Sequence, residues 1–215
     1  MDDAAHEALS QYVRDLFVSD DTVLDKRQAE SRESGLPAIS IKPEEGQMLQ
    51  FLLKMINAVK VVEIGTLAGY SGTWLARALP ASGKLITLDN TPAHHEFATQ
   101  TFEKAGVGGK VDARLGKATD LLKKVAEEGP FDAVFIDADK DSYPAYLDWS
   151  LANVRSGGLI MAHNAFFGGT VIGIGEREAN LVNGLKTFNE RLAHEPRLFG
   201  TIIPIGDGIA AAVVL

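Results

Sequence analysis

The strongest constraint on the fold is an alternation, from Lys60 onward, of short aliphatic or β-branched runs with helical stretches. The runs KVVEIG, KLITLD, KVDARLG, FDAVFID and GGLIMAH alternate with segments of helical periodicity. Five βα units in series predict a mainly parallel sheet with helices on both faces. After a long helix near 175–194, RLFGTIIP and GIAAAVVL flank the turn-like IGDG, which predicts a closing antiparallel hairpin.

Three helices are predicted before the first strand. Apolar residues recur at three- and four-residue spacing from Ala5 to Phe17, a polar helix follows Ser19, and a third helix begins at Pro43. Repeats, low-complexity segments and linkers are absent from the sequence. We therefore predict one α/β domain over 1–215, with extra N-terminal helices in 1–57 and a doubly covered core in 60–215.

Charge and composition narrow the range of partners. The net charge of −8 argues against broad nucleic-acid binding, which depends on Lys and Arg neutralising phosphates. Cysteine is absent, so disulfides, thiolate metal sites and cysteine nucleophiles are excluded. The N-terminus has no apolar signal region, and no apolar run approaches the ~20 residues of a membrane helix. We expect a cytoplasmic protein with a small-molecule partner and no membrane association.

Polar residues at the carboxyl ends of the first two strands indicate a nucleotide-like cofactor. The first strand ends in Glu63, then Gly65 and Gly69 allow a tight turn with close approach of a ligand. This spacing matches neither the dinucleotide fingerprint nor the P-loop. The second strand ends at Asp89, where α/β folds commonly bind ribose hydroxyls. Together they predict an adenosine-containing cofactor without identifying it.

A second group of polar residues follows the fourth and fifth strands. Asp137, Asp139 and Lys140 come directly after the apolar run FDAVFI, and His163 and Asn164 follow the fifth strand. Because parallel strands end at one edge of the sheet, the side chains of Asp137, His163 and Asn164 could converge there. They would offer a carboxylate oxygen, an imidazole nitrogen and an amide oxygen to a divalent cation. Ordinary surface or hydrogen-bonding roles remain open for Lys140 and His163.

With these residues in view, the chain resembles the cation-dependent O-methyltransferases of the caffeoyl-CoA and catechol type, which use S-adenosylmethionine. The matching stretches run from about Leu36 to the C-terminus and include EEGQMLQFLLKMINAVKVVEIGTLAGYSG, LITLDN, LGKA, FDAVFIDADKDSYPAYLD and PIGDG. The resemblance implies a Rossmann-like class I methyltransferase fold and methyl transfer to a small phenolic or catechol-like hydroxyl. It also implies a homodimer.

The resemblance assigns roles residue by residue. Asp89 would hold the ribose, Asp137 would bind both the metal and the substrate, and Lys140 would be the general base. The implied cofactor contacts are Ile41, Glu63, Gly65, Thr66, Ser71, Asp89, Ala118, Asp137, Asp139 and Tyr146. The implied metal ligands are Asp137, His163 and Asn164. The implied substrate contacts are Lys140, Asn164 and Phe167, the last standing where many members have a tryptophan.

One departure from the family pattern affects the metal. The family has Asp-Asn where this chain has His163-Asn164, so one carboxylate ligand is replaced by imidazole. Mg²⁺ and Ca²⁺ prefer oxygen, whereas imidazole suits Zn²⁺, Mn²⁺ or Co²⁺ better. Either the metal preference has shifted, or the enzyme needs no metal and His163 is itself the catalytic base.

Two further hypotheses are a nicotinamide-dependent oxidoreductase, in which Asp89 holds the ribose of NAD, and a non-catalytic small-molecule-binding relative.

Overall fold

A computed structural model describes residues 3–215, which form a mixed sheet flanked by helices. The strands are β1 (Lys60–Ile64), β2 (Lys84–Asp89), β3 (Val111–Leu115), β4 (Phe131–Ile136), β5 (Val154–Ala162), β6 (Leu198–Ile203) and β7 (Ile209–Val214). Their spatial order is β3-β2-β1-β4-β5-β7-β6. Strands β1 to β5 are parallel, and β7 is antiparallel to both β5 and β6. The predicted parallel sheet with a C-terminal antiparallel hairpin is confirmed.

Helices cover both faces of the sheet. They are α1 (Asp3–Phe17), α2 (Thr22–Glu33), α3 (Pro43–Met55), α4 (Tyr70–Ala78), α5 (Pro92–Lys104), α6 (Ala118–Val125), α7 (Tyr143–Asn153) and α8 (Ala179–His194). Asp21 caps α2, because its Oδ1 accepts from the Leu24 amide at 3.0 Å. Within the described residues, no helix combines the length and apolar character needed to cross a bilayer.

The beginning of α8 differs from the sequence prediction. The sequence predicts a helix from about 175, but residues 167–172 form a short 3-10 segment and α8 begins only at Ala179. Gly173 and Gly175 have φ of +82° and +74°, and this left-handed backbone cannot continue an α-helix. The segment 166–178 is therefore a connection beside the carboxyl edge of the sheet.

Two apolar clusters, one on each face, fix the central strands. In β4, Val134 belongs to the cluster that includes residues of α6, α7 and α8, and Phe135 belongs to the one that includes residues of α3 and α4. Successive side chains of a strand point to opposite faces, so the central strands are buried on both sides. Burial on both faces fixes the central strands relative to one another, so their carboxyl ends lie along one edge of the sheet.

The order in which strands are added to the sheet reverses between β1 and β4. From β1 the chain adds β2 and β3 on one side and then returns to add β4 and β5 on the other. Backbone hydrogen bonds continue past the strand ends, from Asp137 N to Ile64 O at 2.8 Å and from His163 N to Ile136 O at 2.9 Å. Ligand sites of open α/β sheets lie at such a switch point.

Candidate active site

A cavity of about 980 Å³ opens at the switch point, beyond the carboxyl ends of the parallel strands. Most of the residues predicted from the sequence line it: Ile41, Gly65, Thr66, Ser71, Asp89, Ala118, Asp137, Asp139, Lys140, Tyr146, Asn164 and Phe167. Glu63 and His163 lie behind this lining, both buried. The sequence predicts one set of polar residues after the first two strands and another after the fourth and fifth strands. Both sets therefore lie at the same cavity.

Asp89 shapes the glycine turn after β1. Its Oδ2 accepts from the amides of Thr66 at 3.2 Å and Leu67 at 2.9 Å. Its Oδ1 accepts from the Thr91 amide at 2.9 Å and lies 3.2 Å from His94 Nδ1. One side chain thus ties the end of β2 to the turn after β1. These hydrogen bonds fix the backbone of the turn.

Gly65 brings this turn against the next strand end. Its φ is +99°, and a Cβ at this position would lie 2.1 Å from the carbonyl oxygen of Asp137. No side chain can occupy that space, so only glycine allows the two loops to approach this closely. The turn after β1 and the turn carrying Asp137 and Lys140 are therefore in backbone contact.

Glu63 is a fully buried carboxyl group beneath the turn. Ser71 Oγ and Thr87 Oγ1 each donate to it at 2.6 Å. Burial raises the pKa of Glu63 to about 8, despite these hydrogen bonds, and the charges of Asp137 and Asp89 act in the same direction. Glu63 is therefore neutral in the folded protein around pH 7. The predicted contact of Glu63 with the cofactor remains a prediction.

We expect Glu63→Gln to stabilise the protein at alkaline pH only. The folded pKa is raised, so the stability that Glu63 contributes is complete below its unfolded pKa of 4.5 and is lost as pH rises toward about 8. The melting temperature of the variant should exceed that of the wild type by roughly 5 °C or more at pH 8.5, and by little at pH 5. The control is Glu127→Gln at an exposed position. An equal difference at both pH values would contradict the neutral state of Glu63.

Lys140 is buried at the floor of the cavity with three acceptors around it. Its Nζ lies 3.1 Å from Asp137 Oδ1, 3.2 Å from the Ala138 carbonyl and 2.6 Å from Tyr143 Oη. Tyr143 Oη in turn donates to the Ile136 carbonyl at 3.2 Å, so it accepts from Lys140. Three acceptors match the three protons of an ammonium group. These contacts fix the position of Nζ at the floor of the cavity.

His163 lies between two carboxylates. Its Nδ1 is 3.2 Å from Asp137 Oδ2, and its Nε2 is 2.9 Å from Glu45 Oε1. Burial lowers the pKa of His163, but the hydrogen bonds to Asp137 and Glu45 outweigh it and raise the pKa to about 9. Burial likewise raises the pKa of Asp137, but His163 and Lys140 lower it on balance. Neither ring nitrogen is directed at the cavity, so this arrangement does not favour His163 as a catalytic base.

Asn164 is held in a left-handed conformation by Asp207. Its φ is +57°, and its Nδ2 donates to Asp207 Oδ2 at 3.0 Å. The other oxygen of Asp207 accepts from the Gly168 amide at 2.8 Å. Non-glycine residues keep such a φ where surrounding contacts enforce it. Since the amide nitrogen of Asn164 is bound, its Oδ1 is the atom left to meet a ligand.

The predicted metal ligands are compatible with a divalent cation in donor chemistry. Within residues 3–215, no three His, Cys, Asp or Glu side chains group as ligands, so the set depends on the amide oxygen of Asn164. The Asp137 Oδ2 to His163 Nδ1 distance of 3.2 Å is that of a hydrogen bond between the two side chains.

Three residues of the site, Glu45, Tyr143 and Asp207, have no functional role predicted from the sequence. Glu45 lies in EEGQ, where the pattern indicates only an acidic residue suited to the start of α3. Asp207 lies in PIGDG, which carries part of the resemblance and predicts a turn. Both residues stand in motifs that carry the family resemblance. Their roles could not be predicted, because the partners of these side chains are 118 and 43 residues away in the sequence.

Comparisons with known proteins agree on one family. Residues 15–214 match the O-methyltransferase family. The catechol O-methyltransferase of Niastella koreensis is 40% identical over 221 residues, covering 100% of both proteins. That of Mycobacterium tuberculosis is 37% identical over 203 residues, covering 92% of this chain and 91% of the relative.

Solved structures give the same result. The O-methyltransferase from Bacillus cereus in complex with SAH superposes with a TM-score of 0.90 at 36% identity, covering 97% of each chain. An O-methyltransferase of tomaymycin synthesis from Streptomyces achromogenes, in complex with SAM, has a TM-score of 0.90 at 32% identity, covering 100% of this chain and 99% of that one.

Proposed function

The chain belongs to the O-methyltransferase family and is an S-adenosylmethionine-dependent enzyme, and from this premise we propose that it methylates a hydroxyl of a small catechol-like acceptor. The observation that carries the proposal is the contact of the glycine turn with the turn bearing Asp137 and Lys140, inside one cavity. A methyl donor and a hydroxyl acceptor would thereby be held side by side. The names of the relatives support the catechol class.

The cofactor would occupy the part of the cavity around the turn after β1. Asp89 would bind the ribose, Ala118 would lie against the adenine, and Gly65, Thr66 and Ser71 would contact the methionine portion. Ile41 and Asp139 complete this part, and Tyr146 donates to Asp139 Oδ1 at 2.8 Å, which orients that carboxylate. The bound cofactor supplies an electrophilic methyl group on sulfur.

Lys140 would deprotonate the acceptor. A phenol has a pKa of about 10, so its oxygen needs to lose its proton before it attacks a carbon efficiently. Lys140 as the neutral amine takes this proton at Nζ, and Asp137 and Tyr143 hold the ammonium so formed. Phe167 and Asn164 would orient the acceptor ring, since alignment of oxygen, carbon and sulfur supplies much of the rate.

A divalent cation would be held by Asp137, His163 and Asn164. Bound there, it would lower the pKa of a chelated catechol hydroxyl. Ion-independent transfer is the second candidate, and the observation that favours it is the position of His163 between two carboxylates, each of which can accept from one N–H of an imidazolium. When His163 is an imidazolium it is a buried cation and cannot accept a proton. Of the two candidate bases, His163 and Lys140, Lys140 then takes the proton of the acceptor.

We also propose that the chain is a single catalytic domain that forms a homodimer. Apolar side chains are exposed on neighbouring helices, namely Leu9, Tyr12, Leu16 and Phe17 of α1 and Phe51 and Met55 of α3. Exposed apolar surface of this kind is typical of an interface between subunits. Light scattering after size-exclusion chromatography measures the mass directly, and a monomer would contradict the proposal.

The test is methyl transfer from S-adenosylmethionine to catechol by metal-stripped protein, followed by separate addition of Mg²⁺, Ca²⁺, Mn²⁺, Co²⁺ and Zn²⁺. We expect a monomethylated product and at least a tenfold gain in rate with one of these ions. Equal rates without any ion would replace the metal-assisted mechanism by the ion-independent one. Absence of product under every condition, with SAH still bound, would refute the catechol class. Calorimetry with NAD should show no binding, which tests the oxidoreductase hypothesis.

A further inference from the structure

We propose that Arg177 binds an ionised carboxylate on the acceptor ring, so that the preferred acceptors are catechols that carry an acidic group. This inference rests on the proposed O-methylation and narrows its substrate class. Arg177 lies in the connection between β5 and α8 and lines the same cavity as Lys140 and Phe167. Its role would be recognition of the acceptor, separate from the proton transfer at Lys140.

The guanidinium group of Arg177 lies over the ring of Phe167. Its Cζ is 5.4 Å from the ring centroid, within the range of a cation–π contact. Phe167 has a φ of +49°, which is rare for a bulky side chain, and the next amide, of Gly168, donates to Asp207 at 2.8 Å. Since Phe167 is expected to orient the acceptor ring, Arg177 would lie beside a substituent of that ring.

The acidic side chains of the cavity lining have hydrogen-bond donors within the protein. Each of them accepts at least one: Asp89 from the turn amides, Asp137 from Lys140, Asp139 from Tyr146, and Asp207 from Asn164 and the Gly168 amide. In the described part of the chain, none of these acids forms an ion pair with Arg177. The charge of Arg177 is therefore not balanced by an acid of the cavity itself.

The cationic side chains of the lining differ in the same respect. Lys140 Nζ has three acceptors around it, whereas the side chains of Lys117 and Arg177 have no hydrogen bond or ion pair with any residue of 3–215. Lys117 directly precedes Ala118, at the predicted adenine end of the cavity. Glu176 and Glu178 flank Arg177 in the sequence without pairing with it. Arg177 thus brings unused N–H donors to the acceptor part of the cavity.

The packing of α8 places Arg177 near the turn that carries Lys140. Gly184 of α8 lies so close to this turn that a Cβ there would be 2.4 Å from the Lys140 carbonyl oxygen. The helix begins at Ala179, about 7.5 Å before Gly184 along the helix axis, and Leu181 in its first turn lines the cavity. Arg177 directly precedes this helix. One small acceptor would therefore contact both Lys140 and Arg177.

A carboxylate is the group that best matches these donors. The planar guanidinium presents pairs of N–H groups that fit both oxygens of a carboxylate, and such charge-assisted pairs are strong. The protein has a net charge of −8, so its overall field repels an anionic acceptor. A preference for an anionic acceptor must therefore come from a local cation. A neutral substituent would leave the guanidinium unpaired, and a cationic one would be repelled by it.

The experiment compares kcat/KM for 3,4-dihydroxybenzoate with kcat/KM for 3,4-dihydroxybenzamide, under the ion conditions that are best for catechol. The amide is a neutral analogue of nearly the same shape. We expect Arg177→Gln to lower the ratio of the two values by about 10- to 50-fold relative to the wild type. Comparing one ratio between two proteins cancels the intrinsic reactivity of the compounds. Arg177→Lys, which keeps the charge without the planar fork, should retain part of the preference, and Arg177→Glu should lower the ratio further.

Two further measurements distinguish this role from other effects of the charge. The matched control is Arg32→Gln, an exposed arginine of α2 outside the cavity lining, which should leave the ratio unchanged. Calorimetry with SAH should give an affinity for Arg177→Gln within about threefold of the wild type. A tenfold or greater loss would overturn the inference, because Arg177 would then serve the carboxylate of the cofactor.

The inference is also overturned if Arg177→Gln changes the ratio by less than about twofold, or if Arg32→Gln lowers it equally. In either case continued methylation of catechol by the wild type would show that the proposed O-methylation itself holds. Failure of the wild type to methylate catechol and both of its derivatives, with SAH still bound, would instead refute the proposed function together with this inference.

Discussion

Gly65→Ala is expected to weaken SAH binding at least 100-fold. The added methyl group would lie 2.1 Å from the Asp137 carbonyl oxygen, and the φ of +99° disfavours any L side chain. The clash is with backbone, so the ends of β1 and β4 would have to separate. Separation opens the turn that Asp89 organises and displaces the carboxylate next to Lys140. The loss of binding is measured by calorimetry with SAH.

Gly109→Ala is the matched control for this change. A methyl group added at Gly109 would have no atom within 4 Å, and the φ of this residue is not positive, so the same substitution should leave SAH binding unaltered. Circular dichroism and a melting curve establish that the Gly65 variant is folded when binding is measured. A folded Gly65→Ala protein that binds SAH within threefold of the wild type would contradict the close contact between the two turns.

Lys140→Met is expected to reduce kcat for catechol by 10²- to 10⁴-fold while SAH binding stays within a few-fold of the wild type. Methionine keeps the length and the apolar stem but can neither accept nor donate the proton. Asp137 Oδ1 and Tyr143 Oη each lose one hydrogen-bond partner, so a modest loss of stability should accompany the change. Rates are measured at saturating acceptor and cofactor.

Lys123→Met is the control, because Lys123 also forms an i,i+3 pair with an aspartate, Asp120 at 3.5 Å, but is 77% exposed on α6. Its kcat should equal that of the wild type. If Lys140→Met retains more than a tenth of wild-type kcat, Lys140 is not the base. The proton of the acceptor would then leave by another route, and the assignment by resemblance would be wrong for this chain.

The fold could be predicted from the sequence because local patterns indicate each strand and most of the helices. Apolar runs of strand length alternate with helical periods, and acidic or glycine residues mark where the strands end, as at Asp89 and Gly65. The same positions lie at one edge of a parallel sheet, so the cavity lining could be predicted from order along the chain. The resemblance then supplied roles for residues such as Ile41 and Ala118 that no pattern distinguishes.

What could not be predicted depends on contacts between distant segments. Glu63 is inside β1, and whether its side chain faces the ligand or the core depends on the packing of Ser71 and Thr87 around it. His163 is recognisable in the sequence as unusual, but its second carboxylate partner comes from α3. The late beginning of α8 depends on two left-handed glycines, which sequence periodicity does not represent.

The turn around Asp207 affects the order in which parts of the active site can form during translation. Ala165 and Phe166 donate backbone hydrogen bonds to Gly208 and Asp207, and Asp207 also holds Asn164. A nascent chain that has emerged only as far as Pro204 already contains the whole glycine turn and Asp89, but it lacks every one of these partners. Domains fold as units, and β7 pairs with both β5 and β6, so the edge of the sheet that carries Asn164 is completed only once β7 has been added. The acceptor side of the cavity is therefore assembled last along the chain.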